Sequence, residues 1–193
     1  MILRIATEGG IEYRPTRPEE IGAMISEVFR ATTPKEVSPG VYSAGSQAWF
    51  VVGETSADEG PRAFLRATVD EHQGYGALSW SSDLRTGGIH EFLWLSDNPA
   101  PPRADPRLTA SPHGGYDYDP ACALPLAQVR AAVEEYCASG TGERPACINW
   151  VTGDFDGTRH PESLFTEQPE APRGRSAAKP WSESEENPPD HPF

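Results

Sequence analysis

Few residues in this chain have the types and spacings that chemistry demands, and the best of them stop short. His160-Pro161-Glu162 carries the H-x-E step of a zinc deaminase, where zinc takes one histidine and two thiolates while the glutamate moves protons. No P-C-x-x-C follows it; the cysteines stand at 122, 137 and 147, and Pro145-Ala146-Cys147 precedes it. His90-Glu91 begins H-E-x-x-H, but Trp94 occupies the second histidine's place. Asp154-Phe155-Asp156 opens like a calcium loop, yet Arg159 stands where the sharp turn needs glycine and Phe165 where the bidentate glutamate belongs. Gly74-Tyr75-Gly76 lacks the third glycine of a dinucleotide loop, which is Ser79, and no Gly-Lys-Ser/Thr exists. Gly40 to Gly45 is one residue too long for G-x-S-x-G.

Two acidic clusters remain, Asp70-Glu71-His72 and Asp117 with Asp119. Paired acids can hold a metal or share acid and base roles, so a small metal-dependent hydrolase is one reading. A solvated turn is the other. No motif calls for a cofactor or a resident metal. Tyr116-Asp117-Tyr118-Asp119 alternates aromatic and acid, and tyrosine suits an interface because it joins a large apolar area to a polar tip.

The elements that must position these residues read as follows. Leu126, Val129, Val133, Tyr136 and Cys137 form one stripe of a helix opened by Pro125 and ended by Gly140. Ala146 to Val151 reads as a strand. Ile2 to Ala6 and Ile11 to Tyr13 flank Gly9-Gly10 as a hairpin. Thr16 and Glu19 make a capping box for a first helix, whose face is Ile21, Met24, Ile25, Val28 and Phe29. Residues 34–47 read as a loop, and residues 98–119, dense in proline and glycine, as a long irregular connection. Between them Ala48–Glu54, Arg62–Val69, Tyr75–Trp80 and Ile89–Leu95 are strands joined by short turns, with a polar turn at Ser56–Arg62. Sequential strands so joined favour an antiparallel meander. The expected fold is α+β: a mainly antiparallel sheet of five to seven strands with two packed helices, over residues 1–152.

From Gly153 onward, seven prolines and nine acids against four Arg or Lys leave little to pack. Residues 153–193 read as an acidic, Pro-rich tail that is largely disordered. The 193-residue chain carries a formal charge of −13. That balance opposes direct binding to nucleic acid or anionic lipid and suits a basic partner. Met1–Thr7 is too short an apolar run for a secretory leader, and no stretch approaches the roughly 20 apolar residues of a membrane span. The cysteines, without C-x-x-C, read as small buried hydrophobes in a reducing cytoplasm.

Residues 116–151 resemble the Imm-one immunity proteins of bacterial polymorphic toxin systems. The resemblance rests on Leu124-Pro125-Leu126 entering a helix, Ala131–Tyr136 within it, Gly140-Thr141-Gly142 and Arg144-Pro145 after it, and Ile148-Asn149-Trp150 closing a strand, with Tyr116-Asp117-Tyr118 ahead. Ser139-Gly140 stands where the family more often has Thr-Gly. Residues 1–115 agree only in general pattern. The resemblance implies a non-enzymatic, cytoplasmic antidote that binds a cognate basic toxin, often a nucleic-acid deaminase, and covers its active site or substrate groove. Asp70, Glu71, Tyr116, Asp117, Tyr118 and Asp119 are the expected partner-binding residues, chosen for loop position, charge and aromaticity. An adaptor binding through the acidic tail is a further alternative.

Overall fold

A computed structural model describes residues 3–8, 10, 12–15, 17–52, 63–82 and 93–160. In chain order its elements are β1 (Leu3–Thr7), β2 (Glu12–Tyr13), α1 (Pro18–Thr32), β3 (Glu36–Ser38), β4 (Val41–Tyr42), β5 (Gln47–Val52), β6 (Ala63–Asp70), β7 (Tyr75–Ser82), β8 (Leu93–Asp97), β9 (Thr109–Ser111) and β10 (Tyr116–Asp117). A 3-10 turn at Pro120–Cys122 leads into β11 (Leu124–Pro125), α2 (Leu126–Ser139) and β12 (Asn149–Thr152). The Thr16 cap, the Ser56–Arg62 turn, residues 89–92 of the fourth predicted strand and the tail from Pro161 lie outside the described residues.

The fold is α+β, as the sequence predicts. Eight strands form one sheet in the order β12-β8-β7-β6-β5-β1-β2, with β11 also paired to β7. Every pairing is antiparallel. β5 to β8 are the expected meander. Register settles which residues share a face, because side chains alternate along each strand. Phe50 opposes Leu65, Ala67 opposes Leu78, and Trp80 opposes both Leu65 and Trp94. These residues look toward α1 and α2. Arg66 opposes Ser79, Thr68 opposes Ala77, and Ser79 opposes Leu95, all on the other face.

The helices bury the stripes read from sequence. Ile25, Val28 and Phe29 of α1 and Val129, Val133, Tyr136 and Cys137 of α2 pack with Leu3, Ile5, Phe50, Leu65 and Leu78 in the larger core. Ala132 belongs to the same face. Gly140 ends α2 at φ 65°, a backbone that side chains other than glycine avoid. Pro125 is the residue before the helix, and its extended backbone adds to the sheet opposite Tyr75. α1 starts one residue later than the Thr16 box implies. Pro18 is its first residue, Arg17 caps it, and Glu20 takes the role expected of Glu19: its Oε2 accepts the Arg17 amide at 3.2 Å.

The second face is not open. Residues 98–123 cross it, and Leu108, Ala110, Tyr118, Cys122 and Ala123 pack there against Ala77, Leu93 and Leu95. Residues 153–160, grouped with the tail on composition, return to the same body. Gly153 donates to the Leu93 carbonyl, and Asp119 donates to that of Gly157. This layer explains why the polar Arg66 and Thr68, on the strand face away from the helices, are buried. Arg66 donates to Ser79 Oγ and to the Phe155 carbonyl, with its guanidinium 5.8 Å from the Tyr118 ring centre and 5.5 Å from that of Phe155.

Three sequence readings change. Residues 34–47 contain a hairpin, β3–β4, and residues 98–119 contain another, β9–β10. The last strand starts at Asn149, three residues late, because Glu135 of α2 accepts the amides of Ala146 and Cys147 at 2.8 and 3.1 Å and holds them in a bend. In that bend Cys147 is exposed, while Cys122 and Cys137 are buried as expected.

Candidate functional site

The two acidic clusters belong to different loops, and the fold brings them to one end of the sheet. Asp70 is the last residue of β6. Its Oδ1 accepts the amides of His72 and Gln73 at 2.9 and 3.1 Å, and its Oδ2 accepts Gln73 Nε2 at 2.7 Å. An aspartate that binds amides two and three residues ahead builds a tight turn. Gln73 Nε2 also donates to the Pro106 carbonyl, tying the turn to the long connection. Asp70 is buried, so its carboxylate sets the turn's shape. The Glu71 amide donates to Thr33 Oγ1 at the end of α1, and the Glu71 side chain faces solvent.

Asp117 comes from β10. Its Oδ2 accepts Arg107 Nε at 3.1 Å. Arg107 has φ +50°, a conformation residues with a Cβ seldom adopt; its amide donates to Asp105 Oδ1. The β6–β7 turn, Arg107 and Asp117 line a cleft of about 670 Å³ together with Tyr42 of β4 and Pro34. The His72 and Tyr42 rings, both lining it, stand 6.2 Å apart.

Asp70 and Asp117 therefore line one cleft, with Glu71 in the same turn as Asp70. Tyr116 precedes Asp117 in β10 and is 55% exposed. Tyr118 points the other way. It is buried against the sheet, and its hydroxyl donates to Ser79 Oγ at 3.3 Å. The exposed Asp119 accepts the Ala121 amide at 2.8 Å, capping the 3-10 turn. Sequence reasoning passed over Tyr42 and Arg107, and took His72 only as part of the Asp70-Glu71-His72 cluster of a possible hydrolase. A signal for Tyr42 exists: Ser38-Pro39-Gly40 between Val37 and Val41-Tyr42 is a turn between short apolar runs. Nothing local marks Arg107, whose place depends on Asp117, ten residues on.

The reactive groups among the described residues are held quiet. Burial pushes the Cys122 and Cys137 thiols up to about 12. The Cys147 thiol is pushed up to about 11, by partial burial of its sulfur and by the Glu135 carboxylate. His160 Nε2 lies 2.9 Å from Asp154 Oδ2. Among the described residues, no three or more His, Cys, Asp or Glu side chains gather where they could hold a metal ion.

The sequence profile of the immunity protein Imm1 family matches residues 12–152. The chain belongs to the Imm1 immunity protein family. No curated protein and no solved structure matches it. An Imm1 protein is an immunity protein, and membership implies binding to a cognate toxin. The matched span takes in α1, most of the sheet and every residue of the cleft. The Imm1-like signature read from sequence proves to be structural. The Arg144 guanidinium lies 3.7 Å from the Trp94 ring centre and 5.7 and 5.9 Å from those of Trp80 and Trp150. The indoles of Trp80 and Trp150 donate to the carbonyls of Gly142 and Pro145. Arg144 and Pro145 thereby fasten the chain after α2 to the helix side of the sheet. No helix among the described residues is long and apolar enough to cross a membrane.

Proposed function

We propose that this Imm1 protein neutralises its toxin by laying the cleft-bearing end of the sheet over the toxin's active site or substrate groove. The toxin is a basic protein that acts on nucleic acid, a deaminase, and the encounter takes place in the cytoplasm. The immunity protein works by binding alone. Family membership together with a charge of −13 carries the reading. An enzyme that handles nucleic acid must neutralise phosphates and presents a basic groove. An acidic cover is drawn to such a groove, and this attraction raises the on-rate more than the affinity.

Glu71, Tyr116, Asp117 and Asp119 are the exposed or half-exposed members of the six predicted contact residues. In this reading they meet the toxin, while Asp70 and Tyr118 hold the loops beneath them. The test is deamination of a single-stranded oligonucleotide by the purified toxin, with this protein titrated in. Activity should fall linearly to its floor at one equivalent. Full activity in excess protein overturns the immunity reading, and inhibition of a toxin with another chemistry overturns the deaminase part.

A further inference from the structure

We infer that the β3–β4 hairpin is the apolar anchor of the toxin-binding surface, and that the cleft beside it receives a basic side chain of the toxin on Asp117 in exchange for Arg107. The inference rests on the immunity reading and says where and how the toxin is held.

The hairpin exposes more apolar surface than its own folding explains. Val37 is 66% exposed, Val41 53% and Tyr42 56%. Only Tyr116 and Phe155 join them as exposed large hydrophobics among the described residues, so three of five stand within six positions. The two strands pair with each other and with nothing else. Short two-stranded hairpins are marginal in water, and this one is held at its base by polar contacts. Lys35 and Ser43 bond across its open end, and the Ser46 amide donates to the Thr32 carbonyl of α1. An apolar tip on a polar base is the arrangement of a protein contact, where aromatic and aliphatic anchors carry most of the energy inside a polar rim.

Charge selects the occupant. Apart from Arg107, the ionisable groups around the anchor are His72 and the acids Glu36, Asp70, Glu71 and Asp117, with Lys35 at the hairpin base. Glu36 is spent within the hairpin on the Gly40 amide, and Asp70 on its turn. Asp117 differs. Its one side-chain partner with a charge is Arg107, whose side chain is 79% exposed against 31% for Asp117. So exposed a pair holds weakly. A toxin arginine or lysine entering the 670 Å³ cleft beneath Tyr42 would find a carboxylate ready to change partners. Closing the interface would then desolvate the new pair and strengthen it.

The test measures Kd and association rate for the toxin that neutralisation identifies, against the wild type and four variants. Val41→Asp with Tyr42→Ala should weaken binding by about 30-fold or more, the range of an anchor loss. Asp117→Asn should weaken it by about tenfold and flatten the salt dependence of association. Arg107→Ala should leave Kd unchanged or tighten it, because it removes only the internal competitor. Phe155→Ser, an exposed apolar residue of the 153–160 turn, should lower the melting temperature, since its ring packs on Phe64 and Arg66, but leave Kd measured well below it unchanged. Thermal melts within 2 °C or so of wild type show that the hairpin variants still fold. If wild type does not bind the toxin, the immunity reading has failed. If wild type binds and the hairpin pair binds as tightly, the anchor has failed while immunity stands. If Arg107→Ala weakens binding as Asp117→Asn does, Arg107 itself meets the toxin and the exchange is wrong.

Discussion

Replacing Arg144 by alanine should destabilise this protein more than an ordinary half-buried arginine would. Its guanidinium sits 3.7 Å from the Trp94 ring centre, with Trp80 and Trp150 near the outer limit of such contacts at 5.7 and 5.9 Å. A cation over an aromatic ring contributes from about 0.5 kcal/mol when exposed to about 2 when desolvated. Taking about 1.5 for the close ring and about 0.5 for each distant one gives a loss of about 2.5 kcal/mol. For a body of this size that corresponds to a fall in Tm of roughly 5–10 °C. Lysine keeps the charge but loses the flat face that stacks on indole, so Arg144→Lys should lose about half as much. Urea unfolding followed by tryptophan fluorescence reads both, since the three rings report directly. Toxin affinity measured well below Tm should stay within twofold. Trp80 lies five residues along β7 from Tyr75, so roughly 17 Å of strand separates it from the cleft end. A loss below about 0.5 kcal/mol in Arg144→Ala would refute the reasoning, because it would mean that the indoles pack as well without the cation.

Glu135 accepts two amides, of Ala146 and then Cys147, and these bonds hold its carboxyl below the usual 4.5. A lowered folded-state pKa adds stability that is present above about 4.5 and is lost as pH falls through the folded value. Glu135→Gln should remove that acid-side slope from the urea midpoint profile between pH 5 and 3. Native protein at pH 7.5 should take up iodoacetamide slowly at Cys147 alone and at all three cysteines after unfolding, read by mass. Gly157→Ala should cost about 3 kcal/mol. Gly157 has φ +89°, and an added Cβ would stand 2.7 Å from Tyr118 Cα and 3.0 Å from the Asp117 carbonyl. The same change should weaken toxin binding by displacing Asp117, and binding unchanged at full occupancy of the fold would separate that loop from the interface.

What could be read from sequence was whatever depends on local periodicity. The stripes of α1 and α2, the β5–β8 meander and the Gly140 terminator all follow from neighbours within one or two turns. The misread positions answer to distant partners. Residues 153–160 read as tail by composition until Gly153 and Gly157 bond the Leu93 and Asp119 backbones. Ala146 to Ile148 look like a strand until Glu135 claims two of their amides. Tyr116 and Tyr118 carry the same side chain two positions apart, yet one is exposed and the other is core, because the β9–β10 pairing shifts register between Tyr116 and Asp117 and breaks the alternation. The cleft was half legible. Its acids stood out by type, but bringing Asp70 beside Asp117 takes the Gln73–Pro106 bond across 33 positions. The hairpin opposite them was hidden in a stretch whose proline and glycine read as a plain loop.

The most direct test of the account is hydrogen exchange of the full chain, alone and saturated with its toxin, read by mass spectrometry of peptides. The account predicts new protection at residues 36–43, 70–74 and 107–119, with α1 and α2 unchanged. Protection confined to the exposed sides of α1 and α2, with the hairpin and the β6–β7 turn exchanging as before, would contradict it.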